Sequence, residues 1–69
     1  MSNVVVRIHY MERTFEASVE KGSTVFDVLR KTGLKASSVI VFYKNRIIPL
    51  NAKLYDNAEL VVENCIYRG

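Results

Sequence analysis

The chain has one cysteine, one histidine, one proline, three glycines and no tryptophan among its 69 residues. Each scarcity excludes something. With Cys65 alone, no disulfide can close within the chain. One Cys and one His cannot supply the three or four nitrogen and sulfur ligands of a zinc site, so no metal is expected. His9 has no Ser or Cys beside it in sequence and reads as a surface histidine at a strand end, not as a general base. Cys65 reads as a small half-buried apolar residue on the last strand, not as a reactive thiol. Gly22 and Gly33 are isolated, which leaves no glycine-rich cradle for a phosphate. The four tyrosines follow no period that would stack successive bases. No apolar run nears the roughly 20 residues of a membrane-spanning helix. Arg7 interrupts the opening segment, so no signal peptide is read there. The expectation is a cytoplasmic protein that is not an enzyme and binds no cofactor.

Charge excludes little more. Ten basic residues are scattered among seven acids, for a formal net charge of +3. That spread reads as a solvated surface, and neither a nucleic acid nor a membrane is expected as partner. What is present is 49% hydrophobic and 25% charged residues, ordinary for a folded domain. A chain of this size forms one domain and buries about 60% of its unfolded surface. Its core must be compact, and a deep substrate cavity is not expected.

Local patterns order the elements. Asn3–His9 is rich in β-branched residues and predicts a strand. After Tyr10-Met11-Glu12, the segment Arg13–Val19 alternates, with Phe15, Ala17 and Val19 on one face. The two strands predict an N-terminal hairpin. Thr24-Val25-Phe26-Asp27 resembles a capping box, with Ser23 as a competing cap, and opens a helix ending at Thr32. Val25, Val28, Leu29 and Thr32 recur at helical spacing, and Gly33 is the expected stop. Ser38–Tyr43 is a third strand and Lys44-Asn45-Arg46 a turn, where Asn45 suits a positive φ. Ile47-Ile48 is a short fourth strand that Pro49 ends, so it lies at an edge or stops there. Leu54 is a lone apolar anchor, and Glu59–Ile66 is a last, central strand. A single domain over residues 1–66 and a flexible tail over 67–69 are expected, because the tail has passed the last ladder bonds.

Two features call for a partner. Val4-Val5-Val6 and Val39-Ile40-Val41-Phe42 are apolar at consecutive positions, so both faces of each strand are apolar. One helix covers one sheet face. Ile40 or Phe42, with Val61 from Leu60-Val61-Val62, is left for an open docking patch. The second feature is the tail Tyr67-Arg68-Gly69, in which a terminal glycine without a Cβ could enter a narrow channel.

The helix start Gly22-Ser23-Thr24-Val25-Phe26-Asp27-Val28-Leu29 resembles the G-x-T-V-x-D-L-L segment of the ThiS/MoaD-like sulfur carriers and small archaeal ubiquitin-like modifiers. Gly33-Leu34 with Ser38-Val39-Ile40-Val41, Lys44–Pro49 and Leu54–Leu60 resemble further strings of that family, in the same order. The resemblance covers nearly the whole chain. It implies an α+β fold, the ubiquitin-like β-grasp, in the order β-β-α-β-β-β with one helix packed on a mixed sheet. It also implies a function. An E1-like enzyme would use ATP to adenylate the C-terminal carboxylate of Gly69, which would become a thiocarboxylate or be joined to an amine. The partners implied are that enzyme and a sulfur acceptor or target protein, and the ATP belongs to the enzyme. Ile40, Phe42, Val61 and Tyr67 would bind the partner, and Arg68 and Gly69 would form the activation site. Arg68 stands where the family carries its penultimate glycine. Ile47–Leu54 also resembles the TGS modules of RNA-linked proteins, so a non-conjugating interaction module or an RNA-linked module are the other readings.

Overall fold

The computed structural model describes residues 2–65. In chain order these form β1 (Asn3–Tyr10), β2 (Arg13–Glu20), β3 (Ser23–Thr24), α1 (Val25–Thr32), a 3-10 turn (Ala36–Ser38), β4 (Val39–Tyr43), β5 (Arg46–Ile48), β6 (Lys53–Leu54) and β7 (Ala58–Asn64). Five strands make a mixed sheet in the order β2-β1-β7-β4-β5, and β3 and β6 form a separate two-stranded ladder. The β1–β2 hairpin, the helix and the central final strand match the sequence expectation. Of the two alternatives that Pro49 leaves for β5, both hold: the strand stops at Ile48 and lies at the sheet edge. The small β3–β6 ladder, which pairs Ser23 with Leu54 and Thr24 with Lys53, adds to the elements the sequence predicts. Two residues per strand carry no readable period, and Ser23 and Thr24 look like cap residues.

The central strand explains the mixed pairing. β7 runs parallel to β1, with Ile8 opposite Leu60, and antiparallel to β4, with Val41 opposite Val62. A parallel pair requires a crossover rather than a tight turn. The helix and the strands after it supply that crossover. β7 ends at Asn64, shorter than expected, and Ile66 lies outside the described residues.

Alternation sends Val4, Val6, Ile8, Ala17, Val19, Val41, Leu60 and Val62 to the helix side, where they meet Val25, Val28, Leu29 and Leu54. All are buried, and among the described residues no polar or charged side chain is buried with them. Burying one Val, Leu or Ile is worth about 1.5–3 kcal/mol, so this cluster supplies the main favourable contribution to folding. Phe15 is only half-buried at the margin of the core. It sits on edge strand β2, where packing exists on one side only.

The helix start is held from two directions. The Thr24 hydroxyl accepts the Asp27 N–H, and the Asp27 carboxylate accepts the Thr24 N–H. The next two free donors point into the following loop, where Val25 N–H and Phe26 N–H donate to the carbonyls of Ala52 and Leu50. The polar connection 49–57 therefore does structural service, with buried Leu54 as its anchor. At the other end Gly33 closes the helix at φ 83°, a left-handed conformation that glycine adopts without cost. Among the described residues no helix is long and apolar enough to cross a membrane.

Candidate functional site

The sheet face opposite the helix is uncovered. Its residues follow from the register. Thr14, Glu16, Ser18 and Glu20 lie on β2, and Asn3, Val5, Arg7 and His9 on β1. Glu59, Val61 and Glu63 come from β7, Ile40 and Phe42 from β4, and Ile47 from β5. Period two places them there, because each alternates with a residue on the core side.

The apolar part is continuous across three strands. Phe42 stands opposite Val61 on one side and Ile47 on the other, and Ile40 lies two residues along β4. Val61 keeps 42% of its surface exposed and Ile47 66%. Three of the expected partner-binding residues, Ile40, Phe42 and Val61, are thus brought together. Tyr67, Arg68 and Gly69 lie outside the described residues, as does the expected tail over 67–69. Ile47 is an addition. The signal for it was present, since a strand reversing at Lys44-Asn45 puts Ile47 opposite Phe42.

A polar network borders the patch. The Arg7 guanidinium donates to the Glu16 carboxylate at 2.8 Å and lies 3.9 Å from Glu59. The His9 Nε2–H donates to Glu59 at 2.9 Å. The His9 hydrogen bond, then the His9 and Arg7 charges, hold the Glu59 carboxyl below its ordinary pKa. His9 is therefore a half-buried member of the open face with a named carboxylate partner. At the start of β7 the Asn57 side-chain oxygen accepts the Val5 N–H at 2.8 Å, which satisfies a donor that lies beyond the β1–β7 pairing. Between β7 and the β4–β5 turn runs a shallow groove, lined among others by His9, Phe42, Lys44, Glu59, Val61 and Glu63. It is open to solvent and holds no enclosed cavity. Cys65 corrects the sequence expectation. It is exposed, because β7 has ended and only its N–H is tied down, to the Ser38 carbonyl at 2.8 Å. Among the described residues no group of His, Cys, Asp and Glu could hold a metal ion.

No family model and no curated protein sequence matches the chain. Solved structures do match its shape. The ubiquitin-like domain of an Arabidopsis thaliana protein covers all of this chain and 85% of its own, with a TM-score of 0.77 at 14% identity. The fold is the ubiquitin-like β-grasp. Caldiarchaeum subterraneum ubiquitin is similar over 99% of this chain and all of its own, with a TM-score of 0.73 and 18% identity. The ubiquitin-like domain of Plasmodium falciparum Dsk2 covers 91% of this chain and 99% of its own, at 0.75 and 14%. Identities this low establish the β-grasp fold and leave function to the site. On that fold, the open face is the side of the sheet that the helix does not cover.

Proposed function

We propose that this chain is a non-enzymatic ubiquitin-like protein that works by docking partner proteins against the open face of its sheet. The observation that carries this reading is the apolar row Val61-Phe42-Ile47 with Ile40, contributed by three strands and rimmed by charged side chains. Such a patch resembles the core of a protein interface, apolar at the centre and polar at the rim. Val61→Asp tests it. The variant should keep the wild-type circular dichroism spectrum and lose the proteins that the wild-type chain captures. A matched Phe26→Asp on the helix side should retain them. Equal capture by all three proteins would remove the open face from the reading.

A second reading follows the sequence resemblance. The chain would be a sulfur carrier or modifier whose Gly69 carboxylate is adenylated by an E1-like enzyme at the expense of ATP, then converted to a thiocarboxylate or conjugate. The position of β7 supports it. The last described strand is the central one of the sheet, and its Val61 belongs to the open face that would dock the enzyme. The chain would supply the docking face and the carboxylate, and the enzyme would supply ATP and the chemistry. Intact-mass analysis with the cognate E1-like enzyme, ATP and a sulfur source tests it. An ATP-dependent mass change should appear, and it should vanish when Gly69 is deleted. Arg68→Gly should speed the change if the Arg68 side chain obstructs a narrow channel. It should slow the change if the channel holds an acid that pairs with Arg68. No mass change with either protein leaves the docking module alone.

A further inference from the structure

Charge is not spread evenly over this fold. Four of the chain's seven acidic residues, Glu16, Glu20, Glu59 and Glu63, stand on the open face. Among the described residues, Arg7 is the single Lys or Arg whose strand position faces the same way. Arg13 and Arg46 share the helix side with Tyr10 and Tyr43, their register partners. Arg30 and Lys31 lie on the helix and Lys21, Lys35 and Lys53 around it. Lys44 sits at the β4–β5 turn, its ammonium over the Tyr43 ring at 5.3 Å, and also lines the groove beside Glu59 and Glu63, so the face sets four carboxylates against Arg7 and Lys44. A chain of formal net charge +3 thus carries a net acidic sheet face and a basic remainder. Beside the patch, Glu59 and Glu63 flank Val61 on the same strand face. Glu59 is partly compensated by Arg7 and His9. Glu63 forms no ion pair among the described residues, and its register partner is apolar Ile40.

We infer that the open face binds an amphipathic peptide segment of a partner protein, with aliphatic anchors flanked by lysine or arginine. The inference rests on the docking reading and specifies its ligand. The aliphatic anchors fit over Val61, Phe42 and Ile47, and the flanking cations come within reach of Glu59 and Glu63. Complementary rim charge steers encounter, and like charge across an interface is rejected. The same field disfavours an acidic segment and the phosphates of a nucleic acid. It also separates this face from the basic surface around the helix.

The test uses isotope-labelled full-length protein and two synthetic helical peptides with one leucine stripe. One peptide is flanked by lysines and the other by glutamates. The lysine peptide should shift the amide resonances of Ile40, Phe42, Ile47 and Val61 and bind more tightly. Its affinity should fall as salt rises, since screening acts within about 10 Å at 0.1 M and about 3 Å at 1 M. Glu63→Gln, an exposed change expected to leave the spectrum folded, should weaken the lysine peptide about two- to fivefold, the worth of one exposed ion pair. It should leave the glutamate peptide unchanged or slightly tighter. Equal binding of the two peptides at these residues overturns the charge inference while the docking face stands. Shifts elsewhere, or none with either peptide, overturn both. Concentration-dependent shifts of the same residues without peptide would identify a second copy as occupant and overturn the inference.

Discussion

At the scale of single residues, the helix start and its core stripe bear the most weight. Leu29 is fully buried between the sheet and the helix, in an all-apolar neighbourhood. Leu29→Ala leaves a cavity that rigid neighbours on several strands cannot fill. It should cost about 2–5 kcal/mol in a denaturant melt, a large part of a small domain's stability. A near-neutral result would contradict the stripe. Asp27 offers a titration. Its carboxylate accepts the Thr24 N–H and the Thr24 hydroxyl, and these bonds hold its pKa below the ordinary value. The folded state therefore binds the Asp27 proton less readily than the unfolded state does. The resulting stability is present above the unfolded value, about 3.9, and is lost as pH falls through the lower folded value. Glu59 is lowered too and adds to the same acid limb. Asp27→Asn should flatten part of the fall in urea midpoint below about pH 4, and Asp27→Asn with Glu59→Gln should flatten more of it. An unchanged acid limb in the double variant would show that neither bond persists in solution.

Elements are joined by a few left-handed residues. Gly33 sits at φ 83°, and a Cβ there would meet no heavy atom within 4 Å. Gly33→Ala thus isolates the backbone term. It should cost about 1–2 kcal/mol, read as a lower denaturant midpoint at unchanged slope. Steric repacking would instead disturb the spectrum of the neighbouring residues. The β4–β5 turn uses Lys44 at φ 50° and Asn45 at φ 65°. Two successive positive φ values give the twist that a two-residue hairpin needs. That twist keeps Ile47 opposite Phe42, so a local backbone choice sets one edge of the docking face.

For the molecule as a whole, stability and docking are separated by a single-residue alternation. Val41 faces the helix and is buried, while its neighbour Phe42 faces the open side. Val41→Asp places a charge in the apolar core and should unfold the domain. Phe42→Asp should retain cooperative thermal unfolding and weaken partner binding. If Phe42→Asp unfolds the chain as Val41→Asp does, Phe42 is a core residue and the docking patch lies elsewhere.

The sequence by itself determined the element order. Short periods are local: strand alternation in Arg13–Val19, helical spacing in Val25, Val28 and Leu29, and the Thr24–Asp27 reciprocal cap all act within a few residues. It also showed that three strands carry apolar side chains on both faces, which one helix cannot cover. Pairing is non-local and was decided only by the tertiary structure. His9 meets Glu59 across 50 positions of sequence, and Asn57 reaches Val5 across 52. No local pattern encodes which strand lies beside which, so neither contact was legible beforehand. The same holds for the acidic open face. Basic and acidic residues look evenly mixed along the chain. They separate only when β1, β2 and β7 lie side by side and turn every second residue toward one surface.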